Sequence, residues 1–92
     1  LPIRPGADAW FLVALLDALR AIGPPRLAHY GARLADFDAA LAAIAPLAAD
    51  DVARRTGIDA TTTQRIAREL YAAPRAVVYG RMGLSTQAWG SL

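Results

Sequence analysis

The chain has 92 residues, of which 55% are hydrophobic, and its formal net charge is +2. This length allows one domain, and no apolar run reaches the roughly 20 residues that a membrane-spanning helix needs. Cysteine is absent, which excludes disulfides, thiolate metal ligands and cysteine nucleophiles. All ten basic residues are arginine, but acidic residues lie among them, and this pattern is typical of a mixed solvated surface.

The N-terminal quarter predicts an extended segment, a turn and a long helix. Pro2 and Pro5 restrict their neighbours, so Leu1 to Arg4 is extended and Pro5-Gly6 makes a turn. Asp8 then begins a helix from about Ala9 to Ile22. Apolar residues cover most of its circumference, which predicts burial on several sides.

Three further helices are predicted from capping and breaking residues. The second is capped by Asp36 and ended by Pro46, the third is ended by Gly57, and the fourth runs from Asp59 to about Ala73. The sequence of residues 26–33, before the second helix, is compatible with one or two helical turns or with a loop.

The C-terminal part predicts a strand and a glycine-rich turn. Ala76 to Tyr79 is a short apolar run bounded by turn signals, which indicates a buried strand. Gly80 and Gly83 end it, and Thr86 to Leu92 begins another helix. A strand must pair, either with Leu1 to Arg4, with another molecule, or with chain outside this sequence. The expected fold is mostly α with one or two short strands.

Residues 51–70 have the outline of a DNA-binding helix-turn-helix. Gly57 makes the turn, Ile58 fills the angle between the helices, and Gln64, Arg65 and Arg68 lie on the second helix, where they would reach bases or phosphates. Two helices joined by a glycine turn also occur without DNA, and a net charge of +2 is a weak electrostatic footprint. Thr63 stands where the motif favours a branched apolar residue. DNA binding or protein interaction is therefore the alternative function.

The order of segments resembles the molybdopterin oxidoreductase family, the formate dehydrogenase and dimethyl sulfoxide reductase group. The resemblance covers essentially all of residues 1–92. Family members carry RPGTD before an apolar helix, and Arg4 to Asp8 reads RPGAD, with alanine at position 7. A helix pair around a TG turn matches Ala53 to Ile58, and a strand, a glycine-rich turn and a short helix match Ala76 to Gly90.

The resemblance implies a single segment of a Rossmann-like α/β domain that binds molybdopterin guanine dinucleotide. The family's aspartate binds guanine, which implies that role for Asp8; the interpretation from the residues alone is a plain helix cap. The second family motif, which lies near the pterin and the metal, places glycines at Gly83 and Gly90 and a glutamine at the position of Thr86, with Gln87 one residue later. The cofactor-binding residues so implied are Arg4, Gly6, Asp8, Gly80, Arg81, Gly83 and Thr86.

The expected role of this chain is cofactor binding rather than catalysis. The family's metal ligand and iron–sulfur cysteines lie before RPGTD, so no catalytic or metal-binding residue is predicted within these 92 residues, and His29 has no partner at ligand spacing. The first residue, Leu1, suggests a piece of a longer oxidoreductase, whose remainder would be its partner. The excess of apolar residues predicts self-association when the piece is isolated. No signal peptide is recognisable, which favours the cytoplasm over the periplasm.

Overall fold

The computed structural model describes residues 1–26, 31, 33–44, 49–80 and 82–86, which are mostly helical. Five helices lie in these ranges: α1 (Asp8–Ile22), α2 (Phe37–Ile44), α3 (Ala49–Thr56), α4 (Ala60–Ala72) and α5 (Met82–Ser85). The predicted helical character is confirmed. The predicted strands are not, because no strand forms in the described ranges, and these residues build no Rossmann-like sheet. None of the described helices combines the length and apolar character needed to cross a bilayer.

Helix α1 begins and ends close to the predicted residues. Its last turn closes where the Gly23 N–H donates to the Leu19 carbonyl at 3.3 Å, and two prolines follow. Fewer residues of α1 are fully buried than the apolar pattern predicts. Leu15 is buried, whereas Leu16 is 42% and Ile22 40% exposed. The helix therefore contributes one fully buried side chain, that of Leu15, to the core, while residues 10–14 and 17–19 are half-buried.

The core lies where α1 crosses α4 and α3, the two helices it contacts most. Its buried side chains come from all three helices and from the turn between α3 and α4: Leu15, Val52, Ile58 and Ala67. Ala67 is completely buried, and its small side chain allows α4 to approach α1 closely. These contacts fix the angle between α3 and α4.

The turn between α3 and α4 is stabilised by local hydrogen bonds. Gly57 has a φ of +77°, a conformation that side-chain-bearing residues rarely adopt, and its N–H donates to the Ala53 carbonyl at 2.9 Å. The hydroxyl of Thr56, which is 1% exposed, donates to the Val52 carbonyl at 2.9 Å and accepts the Ile58 N–H at 3.1 Å. The turn is thus buried without leaving the Thr56 hydroxyl unsatisfied.

Asp59 caps α4 as the sequence predicts. Its carboxylate accepts the Thr62 N–H at 2.7 Å and the Thr62 hydroxyl at 2.9 Å. These hydrogen bonds, the backbone one first, hold the pKa of Asp59 below its ordinary value of 3.8. Thr63 is buried, and its hydroxyl donates to the Asp59 carbonyl at 3.3 Å. That bond explains how a threonine occupies a position that favours an apolar residue.

The predicted buried strand at 76–79 is wrong for this structure. The segment is irregular, and Val77 and Tyr79 are 86% and 80% exposed. A strand needs a partner backbone, and the nearest candidate, Leu1 to Arg4, is engaged elsewhere because the Arg4 N–H donates to the Thr56 carbonyl at 3.0 Å. A short helix, α5, follows the segment, and the predicted helix over Thr86 to Leu92 lies largely outside the described residues.

Candidate functional site

The predicted turn at Pro5-Gly6 forms and directs the chain into α1. Gly6 has a φ of +75°, and a methyl group placed on it would meet no atom within 4 Å. The turn is closed by the Ala7 N–H, which donates to the Arg4 carbonyl at 3.1 Å. Ala7 occupies the N-cap position and has no side-chain oxygen to cap the helix. The backbone at Gly6 is therefore open to an approaching ligand.

Asp8 is the first residue of α1 rather than its cap. It is half-buried, and none of the ion pairs among the described residues includes it. Its carboxylate lies beside Gly83 of α5: a methyl group placed on Gly83 would be 3.8 Å from Asp8 Oδ2 and 4.0 Å from Cγ. The structure thus brings together two residues, 75 positions apart, that the two predicted motifs supply.

Arg4 points away from this pair and contacts α3. Its guanidinium donates to the Arg54 carbonyl, and its side-chain carbons lie against Gly57. In this conformation the Arg4 guanidinium is therefore not positioned to contact a ligand beside Asp8. The sequence carries no local signal for the contact with α3, because Arg4 and Arg54 are 50 residues apart.

The other described site residues, Gly80 and Thr86, make contacts with residues of α5. Gly80 is exposed, and a methyl group on it would lie 3.2 Å from Leu84 Cδ1. Thr86 is exposed, and both its N–H and its hydroxyl donate to the Met82 carbonyl, at 3.0 and 2.9 Å, so it closes α5. Arg81, Gln87, Gly90 and His29 lie outside the described residues. In the part of the chain that the structure describes, no group of three or more His, Cys, Asp or Glu residues could hold a metal ion.

The predicted helix-turn-helix outline is present as α3, the Gly57 turn and α4. Its arginines are largely occupied: Arg54 pairs with Asp51, Arg65 donates to Glu69 at 2.7 Å, and the Arg55 guanidinium lies 4.3 Å from the centre of the Trp10 ring. Each ion pair neutralises a charge that phosphate binding would need.

Gln64 and Arg68 border a groove that the sequence does not indicate. Both side chains are exposed. The groove has a volume of about 280 Å³ and lies between α1, α3 and α4, with alanines such as Ala14, Ala18 and Ala53 in its lining. Two of the three residues predicted to reach DNA therefore stand at the edge of this groove.

Comparison with protein-family models, with curated proteins and with solved structures finds no match to this chain.

Proposed function

We propose that this chain binds the guanine end of a molybdopterin guanine dinucleotide as part of a molybdenum-dependent oxidoreductase. The observation that carries the proposal is the position of the Asp8 carboxylate beside Gly83, next to the open turn at Gly6. The two segments that resemble the family's cofactor motifs meet there, although they come from opposite ends of the chain.

The chemistry of guanine suits this arrangement. Guanine presents N1–H and N2–H₂ side by side, and a carboxylate can accept both bonds. Asp8 is held at the start of α1, where the backbone N–H groups of the first turn favour a nearby anionic or polar ligand. The space beside Gly6, two residues before Asp8, is open and leaves room for a flat base to approach, while Gly83 borders the carboxylate.

The residues present fit the nucleotide end of the cofactor better than its pterin end. Asp8, Gly6 and Gly83 would hold the base, whereas Arg4 contacts α3 and Thr86 closes α5. When bound, the molybdenum cofactor supplies two-electron transfer to or from a substrate such as formate or an S- or N-oxide. The role we assign to this chain is to bind and orient the nucleotide, with no reacting group of its own.

The remainder of the oxidoreductase is the proposed partner. The exposed apolar segment from Val77 to Tyr79, together with Met82 at 73% exposure, forms a surface that such a partner would cover. Without it, we expect copies of this chain to associate with one another through the same segment.

Calorimetric titration of the chain with GDP and, separately, with ADP tests the proposal. Wild-type protein should prefer GDP, and Asp8→Ala should weaken GDP binding at least tenfold, because charge-assisted hydrogen bonds contribute about 1.5–3 kcal/mol each. Asp38→Ala is the matched control, since Asp38 also lies in the first turn of a helix, whereas the atoms within 4 Å of a methyl group placed on Gly83 belong to Asp8. Equal affinity of the wild type for the two nucleotides would contradict the proposal.

The melting temperature separates binding from folding in this experiment. Asp8 is not a cap, so Asp8→Ala should remove only its interaction with the helix dipole, about 0.3–1 kcal/mol. A loss of stability as large as the loss of GDP affinity would instead mean that Asp8 serves the fold.

DNA binding through α3 and α4 is the second candidate, because a sharp turn at Gly57 and a buried Ile58 between two helices are features of the helix-turn-helix motif. The paired arginines argue against it, and we expect mixed duplexes to bind no better than the ~10⁻⁴–10⁻⁶ M of non-specific contacts. Much tighter binding at physiological salt, lost in Arg68→Ala, would favour this function over nucleotide binding.

A further inference from the structure

Arg4 connects the turn before α1 to the end of α3 through three separate contacts. Its backbone N–H donates to the Thr56 carbonyl at 3.0 Å, and its guanidinium donates to the Arg54 carbonyl. Its side-chain carbons and Nε pass Gly57, where a methyl group would lie 3.5 Å from Cγ and from Nε. One residue thus satisfies two carbonyls of the last turn of α3.

These carbonyls are strong acceptors for an arginine. The last four carbonyls of a helix have no partner within the helix, and they form the negative end of its dipole. A guanidinium there gains both hydrogen bonds and a favourable charge interaction. The contact therefore holds the position of Arg4 relative to α3, and α3 is fixed in turn by the buried Val52 and Thr56.

The position of Arg4 is transmitted to Asp8 through a short, closed turn. Three residues separate the two, and the Ala7 N–H donates back to the Arg4 carbonyl at 3.1 Å. Ala7 is 4% exposed, so the turn cannot shift without disturbing packing. We propose that Arg4 is a positioning residue, which holds the Asp8 carboxylate in place for guanine by fixing this turn against the end of α3. This inference rests on the proposed function.

A positioning role for Arg4 and a direct contact of Arg4 with the nucleotide predict different effects on the preference for guanine over adenine. A guanidinium that bound phosphate would contribute equally to GDP and ADP, because their phosphates are identical. A guanidinium that positions Asp8 contributes only to the recognition of guanine. Loss of Arg4 should therefore reduce the preference for GDP over ADP rather than lower both affinities together.

Arg4→Met and Arg4→Lys are the informative variants. Methionine keeps an unbranched apolar stem beside Gly57 but cannot donate to the Arg54 carbonyl, whereas lysine retains one charged donor. We expect Arg4→Met to lower the GDP-to-ADP preference about tenfold and Arg4→Lys to restore part of it. Arg75→Met removes an exposed arginine from the segment after α4 and is the control.

A double-mutant cycle with Asp8→Ala tests whether Arg4 acts through Asp8. Without the carboxylate, Arg4→Met should change GDP affinity by less than twofold. Amide NMR spectra of Arg4→Met should show shifted signals for Gly6 and Asp8, with the core signals of α4 unchanged. These signals also show that the variant is folded.

Two results would overturn the inference. One is an equal loss of GDP and ADP affinity in Arg4→Met, which would assign Arg4 to phosphate binding. The other is an additive effect of the two substitutions on GDP affinity. Failure of the proposed function is distinguishable from both, because wild-type protein would then show no preference for GDP while the NMR shifts at Gly6 and Asp8 would still report the contact.

Discussion

The two sides of the candidate site differ in how extensively they contact the rest of the fold. On one side, Gly6 and Asp8 lead into α1, which packs on α3 and α4, and Arg4 adds hydrogen bonds to the end of α3. On the other side, Gly83 lies in a four-residue helix that follows an exposed, irregular segment. The half that carries the carboxylate is therefore part of the folded core, whereas the half that faces it depends on few contacts.

This difference predicts where stability and where binding are sensitive to substitution. Changes in the core that supports Asp8 should lower the free energy of unfolding, because they remove packing that is shared by three helices. Changes in residues 76–80 should leave folding intact and alter only what the chain associates with. Four substitutions test this division.

The largest effect is expected from Leu15→Ala in α1. Leu15 is 6% exposed at the crossing with α4, so its truncation should lower the free energy of unfolding by about 2–5 kcal/mol. Leu16→Ala removes the same atoms from a neighbour that is 42% exposed and should cost no more than about 1 kcal/mol. Urea titration of both proteins measures the difference, and equal losses would contradict the burial of Leu15 in the core.

The second effect concerns the turn that Arg4 contacts. Gly57→Ala should lower the free energy of unfolding by about 1–2 kcal/mol, because alanine is strained at a φ of +77°. Gly6→Ala is similarly strained at a φ of +75°, but its methyl group would contact no atom within 4 Å. Its cost is therefore that of the backbone conformation alone. A methyl group on Gly57 would lie in ordinary van der Waals contact with Arg4, at 3.5 Å, so we expect the two substitutions to cost about the same. A much larger cost at Gly57 would show that the methyl group displaces the Arg4 side chain.

The third effect is a pH dependence at the start of α4. Hydrogen bonds from Thr62 lower the pKa of Asp59 in the folded chain, so its contribution to stability is present above the ordinary value of 3.8 and is lost as the pH falls below it. Asp59→Asn keeps a capping oxygen but cannot titrate. Melting temperatures between pH 7 and pH 3 should therefore fall more steeply for the wild type than for Asp59→Asn. Parallel curves would assign the acid sensitivity to other carboxylates.

Local signals predicted most of the helical framework. Gly57 ends α3 and Asp59 caps α4 because the conformation or the hydrogen bond that each supplies is a property of a few neighbouring residues. The same reasoning placed the turn at Gly6. It could not predict that Leu15 alone in α1 is fully buried, since burial depends on which helices cover it.

The remaining features depend on residues distant in sequence. The contact of Arg4 with the Arg54 carbonyl has no counterpart in composition or periodicity, and it removes Arg4 from the predicted set of direct ligand contacts. The strand at 76–79 was predicted from an apolar run, but a strand also requires a partner, which the described residues do not supply. The proximity of Asp8 and Gly83 was not predicted, because the resemblance places the motif of Gly83 near the pterin and the metal and that of Asp8 at the guanine.

The smallest effect on folding, and the sharpest on association, is expected from Val77→Lys. Val77 is 86% exposed, so the substitution should change the free energy of unfolding by less than about 0.5 kcal/mol. A lysine in an exposed apolar segment opposes pairing between chains, because its charge would have to be desolvated or repelled by the second copy. Light scattering on a sizing column should therefore show association of the wild type that increases with concentration, and a monomer for the variant. Arg75→Lys, which changes no charge, is the control. A wild type that elutes as a single 9.7 kDa species at every concentration would mean that residues 76–80 do not drive association, and that the exposed side of the site needs no partner to stay soluble.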